Sequence, residues 1–228
     1  MLYSSVGQGG ASGYLAAMAL LGVEPAAMKS TGLMLNVLVS AIATVRYYRA
    51  KNFSWQVFLP ITLSSIPFAF IGGALSLPNQ VYKIIAGIIL LFCSCLLFFN
   101  KKETDECPST MLIPFAILAG VLIGFLSGIV GVGGGIFLAP LLIFTGWANT
   151  REILGLSAAF VLANSISGLL GNLTSVTLLP NYVPVLAVAA ILGGLIGTSI
   201  GINRATTLTI RRILAVVLVI AAVKLLLG

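Results

Sequence analysis

The sequence predicts an all-α polytopic membrane protein built from two inverted repeats, and three observations support this fold class. Hydrophobic residues make up 59% of the 228 residues and charged residues only 7%, whereas a typical soluble domain is about 25% charged. Apolar segments of membrane-spanning length recur along the whole chain. A glycine-rich motif occurs twice, once in each half. Because so few ionic side chains cannot cover a surface in water, no soluble domain is expected.

Seven apolar segments are long enough to cross a bilayer, since a spanning helix needs roughly 20 residues. In chain order they cover residues 28–45, 55–77, 81–99, 111–130, 153–171, 182–202 and 209–227. Two further apolar segments, at 10–22 and 134–146, would make helices of only about 18 Å, against a hydrocarbon core of about 30 Å. We therefore predict that these two are half-helices.

Each half-helix follows the same glycine-rich motif, which indicates an internal repeat. Residues 6–10 (VGQGG) match residues 130–134 (VGVGG), and further along Asn36 pairs with Asn164. Such a repeat is typical of transporter folds. The predicted organisation is a first transmembrane repeat at 1–100, a cytoplasmic linker at 101–107 and a second transmembrane repeat at 108–228.

The positions of the basic residues decide between two topologies for residues 111–146. A single crossing would share the basic residues almost equally between the two sides of the membrane. A hairpin with its glycine-rich tip inside the membrane leaves Lys29 and Lys83 on one side and puts nine basic residues on the other: Arg46, Arg49, Lys51, Lys101, Lys102, Arg151, Arg204, Arg211 and Arg212. The positive-inside rule favours the hairpin. Each half then has an odd number of full crossings, so the halves are inverted, and the first hairpin lacks the arm before Gly7.

The chain lacks the residues that several classes of functional site require. The chain has no histidine, and its three cysteines, Cys93, Cys95 and Cys107, do not have metal-ligand spacing. The five acids lie at predicted helix ends or in the central loop, so an intramembrane proton relay or sodium carboxylate site is not expected. The sequence predicts no catalytic residue, no metal and no cofactor. The net charge of +7 is interpreted as membrane orientation rather than nucleic-acid binding.

The two glycine motifs are the strongest candidate binding sites. Non-helical backbone at membrane depth is tolerated only where it is buried in protein or lines a wet cavity. The half-helices would present unpaired N–H groups and positive dipole ends there, which bind anions. The alternative, that the glycines only permit close helix packing, stays open. The candidates are Gly7, Gln8, Gly9, Gly10 and Ser12 in the first half and Gly131, Gly133, Gly134 and Gly135 in the second.

Four further polar residues are substrate-binding candidates. Asn36 and Asn164 hold equivalent positions in the two halves, and each either joins helices or contacts the substrate. Lys29 lies seven residues before Asn36 on the same helix face, and Ser157 takes the equivalent place before Asn164. Lys29 would steer anions into a cavity; the alternative is that it reaches the lipid headgroups or pairs with Glu24.

The run GVGGGIFLAPL at 131–141 resembles the GxGGG…P signature of the TauE/SafE sulfite exporter family, also called the toluene sulfonate uptake permeases. The run YSSVGQGGASGY at 3–14 resembles the first-repeat version of this motif. The resemblance covers essentially the whole chain and implies a transporter of small oxyanions across the cytoplasmic membrane. Two departures concern the first half, since Gln8 stands where histidine is often expected and the arm before Gly7 is absent.

The resemblance and the predicted half-helix N-termini together predict a multi-pass inner (plasma) membrane exporter, not an enzyme. Its expected substrates are sulfite, sulfonates or sulfoacetate-like organic anions. Its expected partners are this small anion and the lipid bilayer, with no nucleic acid, and a homo-oligomer is compatible with the sequence. Two alternatives stay open, a cation or metal permease and an inactive truncated membrane scaffold.

Overall fold

The computed structural model describes residues 11–23, 25–50, 53–99, 111–173, 183–203 and 208–227, and these residues form no strand. The helices named here are, in chain order, α1 (Ala11–Leu20), α2 (Pro25–Arg49), α3 (Trp55–Ala74), α4 (Asn79–Phe99), α5 (Ile113–Val130), α6 (Gly135–Thr145), α7 (Thr150–Gly171), α8 (Val183–Asn203) and α9 (Leu208–Leu227). The predicted all-α class is confirmed.

The helix lengths follow the division between spans and half-helices. α1 has 10 residues and α6 has 11, and these are the two segments that are too short to cross a bilayer. Within the described residues, α2, α3, α5 and α7 are long and apolar enough to cross a membrane by length and composition. Shorter apolar stretches occur in α4, α8 and α9. The protein is therefore a multi-pass membrane protein.

Residues 113–145 form a helix–turn–helix hairpin, as the distribution of charges predicted. α5 ends at Val130, and its C-cap Gly131 donates its N–H to Ser127 O at 2.8 Å and has a left-handed backbone (φ 81°) that turns the chain out of the helix. Phe115, near the start of α5, contacts Trp147, just after α6, with ring centroids 5.8 Å apart. The chain therefore turns back toward the side from which α5 began.

The direction of α7 also agrees with a hairpin. Its polar contacts with α3 run in parallel register, because Asn164 bonds to Ser65 and Ser167 bonds to the carbonyl of Ile66. A single crossing at 111–146 would have made α3 and α7 antiparallel. The positions of the basic residues and the observed helix directions thus indicate the same hairpin topology.

Close helix contacts hold α3, α5 and α7 together. A Cβ added to Gly124 or Gly128 of α5 would overlap the backbone of α3, and one on Gly73 would overlap Gly168 of α7. The spacing of four residues on α5 is the small-residue pattern of close helix packing. These glycines are structural, because they let the backbones of the three helices approach closely.

Equivalent helices of the two halves pack against each other. α2 packs on α7, and α4 packs on α9. α2 and α7 are antiparallel, since Asn172 just after α7 donates to Ser30 near the start of α2. An inverted repeat requires this antiparallel relation between equivalent helices. The inversion itself, and the division of the chain at 101–107, stay predictions, and the linker lies outside the described residues.

Candidate functional site at the second glycine turn

The second glycine motif forms a buried turn between α5 and α6. Gly131, Gly133 and Gly134 have φ values of 81°, 76° and 81°, a backbone conformation that other residues rarely adopt. Every residue from 131 to 136 is buried. Gly134 is the N-cap of α6 and supplies no side chain, so the first N–H groups of this helix lack a side-chain cap. The turn therefore brings backbone donors and a positive dipole end into the protein interior.

Three polar side chains from three different helices surround this turn. A Cβ added to Gly133 would lie 2.7 Å from Ser165 Oγ of α7 and 3.1 Å from Asn36 Nδ2 of α2. A Cβ added to Gly134 would lie 3.4 Å from Ser127 Cβ of α5. We call Asn36, Ser127 and Ser165 the polar cluster. Because Asn36 lies near the middle of α2, the turn is at the depth of the helix centre.

The polar cluster has hydrogen-bonding capacity that the described residues leave unused. Asn36 Nδ2 and Oδ1, Ser127 Oγ and Ser165 Oγ are buried, and none has a hydrogen-bond partner in the described part of the chain. The three side chains are 0% exposed. An unsatisfied buried polar group costs about 1–3 kcal/mol, and folded proteins rarely leave one without a reason. Several such atoms beside a helix N-terminus are an arrangement suited to a polar ligand.

Apolar side chains complete the surroundings of the turn. Val161 Cγ1 would be 2.8 Å from a Cβ on Gly133, and Phe160 Cε1 would be 2.8 Å from one on Gly134. Both belong to α7, and Ile123 Cγ2 of α5 would be 3.0 Å from the Cβ on Gly134. The donors therefore lie in a low-dielectric wall, where each hydrogen bond to a charged ligand is stronger than in water.

Asn36 and Asn164, which hold equivalent positions in the two halves of the sequence, differ in their hydrogen bonds in the structure. Asn164 Oδ1 accepts a hydrogen bond of 2.7 Å from Ser65 Oγ, which joins α7 to α3. Only its Nδ2 is left without a partner among the described residues, whereas both side-chain atoms of Asn36 are. Ser157, the other candidate on α7, is fully buried and its Oγ also has no partner in that part of the chain. Asn164 thus joins α7 to α3, whereas the side chain of Asn36 makes no such bond among the described residues.

The hydrogen bonds of Lys29 in the structure are ones to which the sequence did not point. Its Nζ donates to the carbonyls of Gly72, Gly73 and Leu75 at 3.2, 2.8 and 3.1 Å, and it is only 7% exposed. It therefore caps the C-terminus of α3. The predicted alternative partner, Glu24, lies outside the described residues.

The sequence does not point to Tyr82 at the turn, and it points only weakly to Ser127 and Ser165. Tyr82 Oη of α4 donates to Val130 O at 3.0 Å and so satisfies a carbonyl at the end of α5. No local pattern marks Tyr82. In the sequence these serines are weak signals because serine hydroxyls often bond to their own helix, but in the described part of the structure neither hydroxyl does so. Their positions, one turn before Gly131 and beside Asn164, were the available signal.

Most of the first glycine motif lies outside the described residues. Gly7, Gln8, Gly9 and Gly10 lie outside the described residues, and Ser12 falls in the first turn of α1. The following part of α1 approaches the second turn, because Leu15 and the carbonyl of Gly131 both face Gly32. Leu15 also packs in one apolar cluster with Val130 and Val132.

Comparison with known proteins identifies the family. The family described as sulfite exporter TauE/SafE matches residues 1–225. The chain belongs to the TauE/SafE family. No solved structure matches it.

Relatives of this TauE/SafE chain have transporter names. The probable membrane transporter protein y4hK of Sinorhizobium fredii is 37% identical over 230 residues, covering 99% of this chain and 93% of that protein. The probable membrane transporter protein YjnA of Bacillus subtilis is 24% identical over 98% of this chain and 94% of its own length. The probable membrane transporter protein MJ0441 of Methanocaldococcus jannaschii is 30% identical over 64% of this chain and 56% of its own length. The chain is therefore a membrane transporter.

Proposed function

We propose that this TauE/SafE transporter exports small oxyanions such as sulfite, sulfonates or sulfoacetate-like organic anions across the inner (plasma) membrane. The observation that carries this proposal is the set of buried, unpartnered polar atoms of Asn36, Ser127 and Ser165 beside the N-terminus of α6. An oxyanion has several acceptor oxygens, which match the amide, the hydroxyls and the backbone N–H groups of this site.

The proposed binding residues extend beyond the polar cluster. The backbone of the turn would contact the anion directly, because glycine leaves no side chain between the ligand and the N–H groups. Asn164 and Ser157 follow along α7 and have unpartnered atoms of their own. The remaining members are Gly131, Gly133, Gly134 and Gly135 at the second motif and Gly7, Gln8, Gly9, Gly10 and Ser12 at the first.

A cation or metal permease is the less favoured alternative. Hard cations need several oxygen ligands, normally with carboxylates, and transition metals need imidazole or thiolate. In the described residues the turn is surrounded by hydroxyls, an amide and N–H donors, and the acid Glu152 belongs to the capping box at the start of α7. The hydroxyls and the amide can both donate and accept, but the backbone N–H groups at the start of α6 can only donate, which favours an anion.

The membrane potential is a sufficient driving force for export. Each negative charge that leaves a negative interior gains about 2.3 kcal/mol per 100 mV. Export therefore requires no proton or sodium site within the membrane, and an electrogenic uniport mechanism fits this chain.

Flux in proteoliposomes tests the proposed function. Methanesulfonate is a suitable probe because it is the anion of a strong acid and does not cross lipid as a neutral molecule. We expect efflux that the purified protein catalyses and that an inside-negative potential accelerates. Transport of K⁺ or Ni²⁺ without methanesulfonate or sulfite would favour the cation permease, and absence of all flux would favour the scaffold.

A further inference from the structure

Lys29 is a buried cation without a carboxylate partner among the described residues. Among the described residues, the acidic side chain is that of Glu152, which forms the capping box at the start of α7 with Asn149. The start of α7 is at the opposite end of the bundle from the start of α2, because the two helices are antiparallel. A buried charge is costly unless it is paired or hydrogen-bonded. A neutral residue at position 29 would therefore cost less free energy to bury than this lysine does.

The hydrogen bonds of Lys29 leave no donor for a substrate. α3 ends in extended backbone at Leu75 (φ −69°, ψ 116°), so no left-handed residue turns back to satisfy its last carbonyls. The ammonium has three N–H donors, and the carbonyls of Gly72, Gly73 and Leu75 accept all three. Direct binding of an anion by Nζ would break this cap.

The charge is nevertheless close to the glycine turn. A Cβ added to Gly131 would lie 2.9 Å from the backbone oxygen of Lys29 and 3.3 Å from its Cγ. Asn36 lies on the same face of α2, seven residues or about 10 Å further along the helix. Because Lys29 is 7% exposed, salt in solution screens its field at this distance only weakly.

We propose that Lys29 sets the charge selectivity of the transporter, as a fixed buried cation that favours an anion at the glycine turn without touching it. This inference rests on the proposed function and deepens it. The turn and the polar cluster contribute dipoles, which orient the oxygens of the anion. Lys29 contributes a full charge, which lowers the energy of an anion at the turn and raises that of a cation.

Substitution of Lys29 has different effects if the residue is only a helix cap and if its charge also sets selectivity. Loss of the cap alone lowers the stability of the protein or its maximal rate, with little effect on the affinity for the anion. Loss of the charge raises KM. The substitution Lys29→Gln retains a donor for the carbonyls but no charge, Lys29→Met retains neither, and Lys29→Arg retains both.

Lys224 is a matched control. Its Nζ donates to Leu20 O at 2.7 Å and so caps the end of α1 much as Lys29 caps α3, but it is exposed. Lys224→Met therefore removes a lysine cap at a helix C-terminus without removing a buried charge near the turn. We expect its KM for methanesulfonate to stay at the wild-type value.

The test is methanesulfonate flux in proteoliposomes, measured for each variant at low and high ionic strength, with melting temperatures of the purified proteins. At an effective dielectric constant of about 20, a unit charge about 10 Å away changes anion affinity roughly tenfold. We expect a rise of this size in KM for Lys29→Gln and Lys29→Met, present at both ionic strengths, and a near-normal KM for Lys29→Arg.

Three results overturn the inference. An unchanged KM in folded Lys29→Gln would leave Lys29 as a cap only. A rise in KM that disappears at high salt would indicate surface steering of the anion instead. A rise in Lys29→Arg equal to that in Lys29→Gln would show that geometry matters rather than charge. Absence of methanesulfonate and sulfite flux in the wild-type protein would instead refute the proposed function itself.

Discussion

Gly133→Ala is expected to abolish anion transport while the protein still inserts and folds. The backbone at Gly133 has φ 76°, which costs an alanine roughly 1–2 kcal/mol. Its new Cβ would also lie 2.7 Å from Ser165 Oγ and 3.1 Å from Asn36 Nδ2. The methyl group would push the polar cluster away and cover the N–H groups that face the anion. Since a displacement of about 1 Å can cost roughly 100-fold in rate, we expect at least that loss in methanesulfonate flux.

Two other glycines separate backbone strain from the effect on the site. Gly22 has a similar positive φ of 72° but nothing within 4 Å of an added Cβ, so Gly22→Ala introduces strain alone. Gly168 has no positive φ, and its nearest neighbours would be at 3.5 Å, which is ordinary contact. We expect both variants to transport. If Gly133→Ala transports at the rate of Gly22→Ala, the turn does not contact the substrate.

Asn36→Leu is expected to eliminate transport and to leave the melting temperature unchanged or higher. Leucine has the branched shape of asparagine, and it removes two buried polar atoms that have no partner among the described residues. Each such atom costs about 1–3 kcal/mol in the unliganded protein. A residue that reduces stability but is needed for activity is typical of a binding site.

Asn164→Leu provides the contrast, because Asn164 accepts a hydrogen bond from Ser65. Its loss leaves the Ser65 hydroxyl buried without a partner, so we expect a lower melting temperature, equivalent to about 1–3 kcal/mol. Thermal unfolding of both variants beside the wild type is the measurement. Equal destabilisation by the two substitutions would mean that Asn36 is interhelical glue like Asn164.

The sequence predicted the half-helices and the turn because their signals are local. Residues 10–22 and 134–146 are apolar but too short to cross, and the glycines before Ile136 allow a left-handed backbone that other residues resist. Asn36 was found because an amide within an apolar helix is rare and because Asn164 repeats it. The positions of the basic residues predicted the hairpin, and the parallel register of α3 and α7 supports it independently.

The partners of these residues could not be predicted, because they depend on which helix faces pack together. Lys29 is 43 to 46 residues from the carbonyls that it caps, and Ser65 is 99 residues from Asn164. Helical periodicity shows that a residue is on a buried face, not which neighbour it meets there. The sequence does not single out Ser127 and Ser165 for the same reason, since a back-bonding serine and a ligand-binding serine look identical in sequence.

The central claim is that the second glycine turn binds the oxyanion, and anomalous scattering from a selenium analogue tests it most directly. Crystals of the protein without selenomethionine, grown with selenite, would locate the ion by the selenium signal alone. We predict a peak whose oxygens lie about 3 Å from Asn36 Nδ2 and from the first N–H groups of α6. A peak only outside the polar cluster, at a selenite concentration that inhibits methanesulfonate flux, would contradict the account.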